Sequence, residues 1–458
     1  MEAALPSRPA AAADGRALCD VDALIDRPRL TALQIHTFLI CALVLFCEGY
    51  DLQALALAVP SMAGDFGVSP DAFGLSLSAS LLGMAVGGAG FAPLGDRIGR
   101  KPMLVIAMLA TGLSTFAALL FVSTWWIVVC RLFTGIGLGI TGVNAAALSG
   151  EYAPDRWRFL TMTLLTCCVP LGAFTAAMAA PGMIAAWTWR SIFVLGGGAP
   201  LVVAGLVILL CAESLKWLLL EKPGDPRIAA ILRRMCPEAD PAMLSINRAG
   251  GPERQSVFGL LAPAHRVRTA VVWLSAASGA FCLYMLVSWL PTVLANANWS
   301  TQDALRGTAA VQLGGIAGSL LMAWAIDRRR LLMALLLGYG CAAAALLGIG
   351  LLPGSVHLWQ FLLLLVGAGT SGMQAVWIAI SIVFYPLGLR ATSAGWVSAV
   401  SRIGAVAAPL VGGVALRAHV GAEAILLGLL LPIAISIGVI IFARHYFARP
   451  DREQGDVR

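Results

Sequence analysis

Long apolar runs separated by short polar segments make up most of this chain of 458 residues. A helix that crosses a lipid bilayer needs about 20 predominantly apolar residues. Twelve runs approach that length, and we predict a transmembrane helix over each of them, near 33–60, 73–94, 102–122, 126–150, 159–181, 190–212, 269–291, 304–326, 331–352, 357–384, 391–416 and 421–443. The pattern therefore predicts an all-α polytopic membrane protein with 12 transmembrane helices.

Three longer polar segments divide these helices into two sets of six. The prediction is an N-terminal tail at 1–32, a first half at 33–212, a central loop at 213–268, a second half at 269–445 and a C-terminal tail at 446–458. The first 20 residues have no apolar core, so we expect a flexible tail there and no cleavable signal peptide.

Composition agrees with a membrane protein, since 59% of the residues are hydrophobic, 12% are charged and the mean hydropathy is +0.85. Soluble proteins carry about twice that charged fraction. With the N-terminus in the cytoplasm, 26 of the 31 Lys and Arg residues fall in cytoplasmic segments, as the positive-inside rule requires. The net charge of +7 then reflects topology and indicates no nucleic-acid partner.

The two halves repeat each other at a spacing of 231 or 232 residues. Residues that match at these offsets are Pro154 and Pro386, Arg158 and Arg390, Gly135 and Gly367, Gly137 and Gly369, Gly172 and Gly404, Asp96 and Asp327, and Arg97 and Arg328. A duplicated six-helix unit is the plan of many transporters, which bind substrate between the halves near the bilayer midplane. We therefore expect two pseudo-symmetric halves.

Two carboxylates interrupt the first apolar run, in the stretch "FCEGYDLQ" that contains Glu48 and Asp51. A charged group at the centre of a membrane helix costs roughly 2.5–3.5 kcal/mol. The two residues share a helix face, and close carboxyls in a poorly hydrated cleft do not both ionise easily. They are our leading candidates for proton-carrying groups. The alternative is two structural acids neutralised by Arg131 and polar neighbours.

Two arginines lie inside predicted helices. Arg131 falls at nearly the same depth as Asp51, at about 1.5 Å per residue, so we predict that these two side chains pair, either as a structural ion pair or as one that also exchanges a proton. Arg402 falls close to the midplane, where its guanidinium suits a carboxylate ligand; the alternative is an internal ion pair. Further candidate substrate contacts are Tyr284, Trp289, Trp377, Trp396, Gln374, Asn144 and Gln312, although single aromatics more often pack or anchor the interface.

The loop "LGDRIGRKPML" (94–104) resembles the signature G-x-x-x-D-R-x-G-R-K of the major facilitator superfamily, with Ala92 in place of the first glycine. "RLFTGIGLGI" (131–140) and "CAESLKWLLL" (211–220) also resemble motifs of that family. The resemblance implies that the loop controls a cytoplasmic gate. The residues it assigns to gating are Asp96, Arg97, Arg100, Lys101, Glu151, Asp327, Arg328 and Arg390.

Within that superfamily, Glu48-Gly49-Tyr50-Asp51 resembles the D-G-x-D motif of the aromatic acid:proton symporter family, with Glu replacing the first Asp. Arg131 and Arg402 match arginines of that family's fourth and eleventh helices. The resemblance implies proton-coupled uptake of an aromatic carboxylate such as a hydroxybenzoate across a bacterial inner membrane, with both termini in the cytoplasm. We expect a functional monomer.

Two other kinds of transport stay open. A proton-coupled exporter of drugs or metabolites is one, although "CCVPLGAF" in the fifth run lacks the full glycine-rich pattern of exporters. A symporter for a non-aromatic organic acid is the other. An enzyme is not expected, because no nucleophile arrangement, metal-ligand spacing or phosphate-binding loop is present, and we expect no cofactor.

Overall fold

The computed structural model describes residues 19–26, 30–236, 244–245, 257–263, 265–328, 331–352, 355–383, 385 and 387–447. Six long helices form the N-half: α2 (Ala32–Phe66), α3 (Gly74–Val86), α5 (Arg100–Ala117), α6 (Thr124–Tyr152), α7 (Asp155–Trp187) and α8 (Arg190–Leu210). The C-half comprises α11 (Arg266–Asn296), α12 (Thr301–Asp327), α13 (Leu331–Leu351), α14 (Val356–Val383), α15 (Leu387–Arg417), α16 (Ala422–Gly428) and α17 (Leu430–Phe447).

Each of the twelve apolar runs falls on one of these helices in the predicted order, with α16 and α17 together covering the last run. Among the described residues, nine helical segments are long and apolar enough to cross a membrane by length and composition. The helices often begin and end at recognisable caps. Thr31 and Gln34 form a reciprocal capping box before α2, and Gly67 ends that helix in the left-handed conformation at φ 63°. The predicted all-α architecture is confirmed.

The second apolar run is less regular than its hydrophobicity indicates. A short 3₁₀ helix (Pro70–Phe73) precedes α3, a π-helical turn (Gly87–Phe91) follows it, and a second 3₁₀ turn (Ala92–Leu94) leads into α4 (Gly95–Ile98). The sequence of the π turn, GGAGF, is rich in glycine, which stabilises a regular α-helix poorly. Such turns often lie at functional sites, and this one leads directly into the signature loop.

Glycines set equivalent helix contacts in the two halves. A methyl group at Gly135 of α6 would collide with the backbone carbonyl of Ser80 in α3, and one at Gly367 of α14 would collide with that of Val311 in α12. Gly172 in α7 lies against α2, as Gly404 in α15 lies against α11. Small residues let membrane helices approach this closely. The internal repeat thus has a physical counterpart in two pairs of closely packed helices per half.

The halves meet along three pairs of helices: α2 with α11, α3 with α15, and α7 with α12. Buried apolar side chains form a continuous cluster across this interface. We name the two ends of the bundle after residues in their loops. The Asp96 end carries the connection from α3 to α5, and the Asp65 end carries the connection from α2 to α3.

Part of the expected tail and central loop is folded at the Asp96 end. The short helix α1 (Val21–Ile25) buries Val21, Leu24 and Ile25, and α9 (Leu215–Glu221) and α10 (Pro226–Met235) follow α8. Two-residue strands, β1 (Cys19–Asp20) and β2 (Leu244–Ser245), pair in parallel, and Val257–Gly259 is a 3₁₀ turn. Residues 21–25, which belong to the predicted N-terminal tail, therefore form a helix whose apolar side chains Val21, Leu24 and Ile25 are covered by the protein.

Candidate functional site

Glu213 organises the charged cluster at the Asp96 end. Its side chain is buried, and its Oε1 accepts hydrogen bonds from the backbone N–H groups of Arg100 and Lys101 at 2.9 and 3.2 Å. Those two residues begin α5, where N–H groups lack intrahelical partners and carry partial positive charge. Glu213 therefore caps α5 from the segment that follows α8.

Gly99 allows this close approach. Its φ of 111° is a conformation that residues with a side chain rarely adopt. A methyl group at Gly99 would also collide with the carboxyl group of Glu213. The glycine of the signature loop is thus required both by the backbone turn and by the cap.

Lys101 completes the contact between α5 and α8 in the reverse direction. Its Nζ donates hydrogen bonds to the carbonyl oxygens of Ile208 and Cys211 at 2.7 and 2.8 Å. These carbonyls lie at the C-terminal end of α8, which favours a cation. Glu213, which follows α8, and Lys101, at the start of α5, therefore join the two helix ends.

Arg100 extends the cluster to α6. Its Nη2 lies 2.5 Å from Oδ1 of Asp96, and its Nε lies 3.6 Å from Oε1 of Glu151 at the end of α6. The backbone carbonyl of Asp96 accepts a hydrogen bond from Nε1 of Trp217 at 2.7 Å. Asp96, Arg100, Lys101 and Glu151 are thus brought together, whereas Arg97 is exposed.

The equivalent region of the C-half is described in part. Arg328 lies with its Cζ 5.4 Å from the ring centroid of Trp324, and Nε of Arg390 donates to the carbonyl of Tyr385 at 3.0 Å. Three predicted site residues, Asp327, Gln374 and Trp377, lie on helices, but their side chains fall outside the described residues.

Asp51 and Arg131 form an ion pair in the interior of the N-half. Oδ2 of Asp51 lies 2.8 Å from Nη1 of Arg131, and each side chain is only 1% exposed. The hydroxyl of Thr115 donates to the other carboxyl oxygen at 3.1 Å. The guanidinium also lies 4.9 Å from the ring centroid of Phe193, a favourable cation–π arrangement. Asp51 and Arg131 thus form the pair that their similar depths in the predicted membrane helices had indicated.

Glu48 lies on the same buried face of α2 but points to a different level of α6. Its carboxyl packs against Gly142, where a methyl group would lie 3.2 Å from Oε2. Gly142 is eleven residues beyond Arg131, about 16 Å along the helix axis. The two carboxyls predicted as a close pair therefore have separate surroundings, and Oε2 of Glu48 is buried without a hydrogen-bond partner among the described residues.

Arg402 reaches the N-half from α15. Its Nη1 lies 3.8 Å from the sulfur of Met84 in α3, and the carbonyl of Met84 lies against Gly139 of α6. Met84 therefore lies between Arg402 and the turn of α6 from Gly139 to Gly142, and Glu48 packs against the same turn. Tyr284 packs against the apolar cluster that includes Met84. The structure thus brings Arg402, Glu48 and Tyr284 to one region between the halves.

Gln312 belongs to a buried amide bridge between the halves. Its Nε2 donates to Oε1 of Gln53 at 2.9 Å, and Nε2 of Gln53 donates to the carbonyl of Val287 at 3.0 Å. Gln53 is fully buried in α2 and was missed by sequence reasoning. A lone amide two residues after Asp51 in an apolar run is the signal that could have identified it.

The remaining predicted substrate contacts have other neighbours. Trp289 is buried and donates from Nε1 to the carbonyl of Pro409 at 2.9 Å, and Trp396 stacks on Trp273 with ring centroids 5.6 Å apart. Asn144 donates to the carbonyls of Ala92 and Ile140 at 3.3 and 3.0 Å. Asn144 thus supports the signature loop, and the structure does not bring it together with Arg402.

Two ion pairs at the Asp65 end were not predicted. Nη1 of Arg190 lies 3.2 Å from Oδ2 of Asp65 within the N-half. Nε of Arg417 in α15 lies 2.9 Å from Oδ2 of Asp71, which joins the C-half to the N-half. Further toward the middle, Ser78 donates to the carbonyl of Val406 at 2.9 Å. Polar contacts between the halves therefore run from the Asp65 end to the level of Arg402.

Comparisons with known proteins agree with this architecture. Residues 41–409 match the model of the Major Facilitator Superfamily. The chain is 32% identical to the 4-hydroxybenzoate transporter PcaK of Acinetobacter baylyi (strain ATCC 33305 / BD413 / ADP1) over 95% of this chain and 96% of the relative. The chain belongs to the major facilitator superfamily.

Two further comparisons concern the branch of this superfamily and its fold. The gallate transporter of Pseudomonas putida is 28% identical over 88% of this chain and 90% of its own length. The inward open conformation of the xylose transporter XylE from E. coli superposes with a TM-score of 0.70 at 17% identity, over 90% of this chain and 96% of that one. The likeness to the aromatic acid branch that the first-helix motif indicated is confirmed, and the chain is a multi-pass membrane transporter, not an enzyme.

Glu213 is the member of the transporter's loop cluster that sequence reasoning missed. It stands at the boundary between the sixth apolar run and Ser214, whose side chain caps α9. An acid at such a boundary is available to a neighbouring helix N-terminus, but its partner is 113 residues away in sequence. Only the fold identifies that partner as α5.

Proposed function

We propose that this transporter carries an aromatic carboxylate into the cell together with a proton. The observation that carries the proposal is the arrangement of Arg402 and Glu48: Glu48 packs against one turn of α6, and Arg402 reaches Met84, which packs on that turn, from the opposite half. A guanidinium at this place offers two parallel N–H donors that suit a carboxylate. The names of the relatives, which include 4-hydroxybenzoate and gallate transporters, support a hydroxylated aromatic acid as substrate.

Coupling to the proton follows from competition for Arg402. In this proposal Arg402 is the counter-charge to Glu48 while no substrate is bound. A bound substrate carboxylate takes over the role of counter-charge to Arg402, so that ionised Glu48 becomes a second anion in a poorly hydrated site. Binding of the anion therefore favours protonation of Glu48, and substrate and proton load together.

The Asp51–Arg131 pair is a second proton-coupling element in this proposal. A proton on Asp51 would release Arg131 from its ion pair and change the contact between α2 and α6. The pair is completely buried, so such a step requires an opened state that admits water. Substrate contacts are proposed for Tyr284 and Gln312, together with Trp289, Trp396, Trp377 and Gln374 from the sequence prediction.

Gating is proposed for the loop cluster at the Asp96 end. The capped junction of α5 and α8 and the Arg100 contacts to Asp96 and Glu151 hold the N-half together, and Arg97, Arg328 and Arg390 complete the proposed set with Asp327. We place the Asp96 end and both termini in the cytoplasm, with the protein a monomer in a bacterial inner membrane.

Uptake of labelled acids tests the proposal in cells that lack their own carriers. The panel contains benzoate, hydroxybenzoates, protocatechuate, gentisate, a phenylpropionate and a dicarboxylate, each with and without a protonophore. We expect accumulation of one ring acid that the protonophore abolishes. Accumulation of the dicarboxylate alone, or faster loss of preloaded hydrophobic cations with no uptake, would contradict it.

Arg402→Gln sharpens this test. Loss of a charge-assisted contact worth about 1.5–3 kcal/mol predicts that the substrate concentration for half-maximal uptake rises about 10- to 100-fold. Arg306→Gln is the matched control, since Arg306 is half-exposed and pairs with Asp303 at 3.8 Å. Equal effects of the two substitutions would remove Arg402 from the substrate site.

A further inference from the structure

A groove at the Asp96 end borders the gating cluster and is separate from the substrate and proton sites proposed above. It has a volume of about 580 Å³ and lies between the start of α5, the end of α8 and the helix α10. Because it adjoins the ends of two membrane-spanning helices, it lies at the level where the membrane surface meets water. We call its basic side chains the charged wall and its exposed aliphatic side chains the apolar wall.

The charged wall carries three basic side chains, Lys101, Arg227 and Arg234. Lys101 uses two of its three N–H donors on α8 carbonyls. Arg227 bonds Asp225 through Nε and Nη2 and holds the pKa of that partly buried carboxyl to about 2. Arg234 is exposed and makes no hydrogen bond or ion pair to any residue that the structure describes.

One acid, Glu213, also lines the groove. Its Oε1 accepts three backbone N–H groups, from Arg100, Lys101 and Ser214, so its charge is offset by the N-terminus of α5. The lining of the groove therefore keeps an excess of positive charge, and Arg234 is the cation in it that has no partner among the residues the structure describes.

The apolar wall consists of side chains that face outward from the bundle. Ile208 is 53% and Leu209 76% exposed, and Ile106 is also exposed. Exposed aliphatic side chains on a membrane-spanning helix contact acyl chains. A molecule that fits both walls has an anionic head and a long apolar tail, which is the chemistry of an anionic phospholipid.

We propose that this groove binds one anionic phospholipid, with its phosphate between Arg234 and Arg227 and an acyl chain along Ile208 and Leu209. Two observations support the assignment: the positive charge of the groove, and its position at the ends of α5 and α8, where the membrane surface meets water. A bound lipid would join α10 to the α5–α8 junction, so that the composition of the membrane acts on the signature loop. The site is independent of the transported substrate.

Native mass spectrometry of the purified full chain tests this site with dioleoylphosphatidylglycerol and dioleoylphosphatidylcholine. We expect one phosphatidylglycerol to bind selectively, and Arg234→Gln to weaken its binding about fivefold, the factor that about 1 kcal/mol per basic side chain represents. Arg233→Gln is the matched control, because Arg233 is the adjacent exposed arginine and its Nε bonds the carbonyl of Ala229. Arg233→Gln should leave binding unchanged.

A second variant separates a lipid from a free anion. Leu209→Asn should weaken phosphatidylglycerol binding while leaving the protein folded, since Leu209 is an exposed residue at the end of α8. Inorganic phosphate should not compete. The proposal would be overturned by equal binding of both lipids, by equal loss in the Arg233 and Arg234 variants, by displacement with inorganic phosphate, or by unchanged binding in Leu209→Asn.

Discussion

At the scale of single residues, the buried charged side chains differ in whether their partners could be predicted from the sequence. The contact between Asp51 and Arg131 could be predicted because membrane helices have a fixed rise, so that equal depth implies proximity. The surroundings of Glu48 could not be predicted from the sequence. Its carboxyl packs against Gly142 of another helix, and the space is available because a glycine has no side chain. Glu48 and Asp51 lie on one buried face of α2, as predicted, but the direction in which each side chain points depends on neighbouring helices.

Asp51→Asn is predicted to destabilise the folded protein as well as to abolish concentrative uptake. It would leave Arg131 without its counter-charge inside the N-half, which costs about 3–5 kcal/mol for a buried pair. Arg131→Met in addition should recover much of that stability, since no buried charge is then unpaired. Thermal unfolding of the two single variants and the double variant in detergent measures the coupling. Strictly additive losses would show that the two side chains do not act as a pair.

The partners of the buried side-chain amides also could not be predicted from the sequence. Gln312 was expected near a substrate, and it bonds Gln53 across the interface. Asn144 was expected near a substrate too, but its amide holds the carbonyl of Ala92 in the signature loop. Position along a helix does not distinguish a side chain that faces the other half from one that faces its own loop.

At the scale of helices, the repeat offset predicted which glycines have equivalent roles. Gly135 and Gly367 each lie against a backbone carbonyl of the helix two positions earlier in their half. The sequence could not identify the helix that each glycine contacts, nor the π turn at Gly87–Phe91, because both depend on how neighbouring helices pack.

Gly83→Ala is predicted to destabilise the N-half by separating α3 from α6. A methyl group at Gly83 would collide with the backbone carbonyl of Leu132, and backbone cannot move aside as a flexible side chain can. Gly205→Ala in α8 is the control, because a methyl group there meets no atom within 4 Å and Ala favours helix by about 0.8–1.0 kcal/mol. Unfolding temperatures should fall for the first and hold or rise for the second; the reverse order would refute the packing argument.

Glu213→Gln tests the helix junction at the Asp96 end. Removing the negative charge from the cap of α5 should cost about 0.3–1 kcal/mol, or up to about 2 in this buried setting, and should reduce uptake if the junction takes part in gating. The control is Glu221→Gln, an exposed acid at the end of α9. Hydrogen exchange of residues 100–103 should quicken in the first variant alone, and protection that does not change would exclude the capping role.

At the scale of the whole molecule, the hydrophobic pattern predicted the number and order of the long helices. It could not predict which residues join the halves at the Asp65 end, since these residues lie at helix ends far apart in sequence. Asp71 and Arg417 are 346 residues apart, and neither stands out in its own segment. Their contact closes the Asp65 end in this conformation.

Arg417→Gln is predicted to favour opening at the Asp65 end. The Arg417 side chain is 75% exposed, and a pair exposed in this way contributes about 0.2–1 kcal/mol, so the open population should rise about 1.5- to 5-fold. Hydrogen exchange of residues 67–73 and 418–421 reports this change. Arg190→Gln breaks an ion pair within the N-half and should leave residues 418–421 unaffected. Equal exchange in the wild type and Arg417→Gln would exclude a gating contribution.

The central claim is that one site between the halves loads an anion and a proton together, with Glu48 accepting the proton when the anion reaches Arg402. The most direct measurement is proton uptake when 4-hydroxybenzoate is added to the purified protein in weakly buffered solution near neutral pH. We predict that the wild type takes up protons on binding, and that Glu48→Gln binds the acid without taking up a proton, while Glu423→Gln at an exposed position behaves as the wild type. Undiminished proton uptake by Glu48→Gln, or binding by the wild type with no proton uptake, would contradict the account.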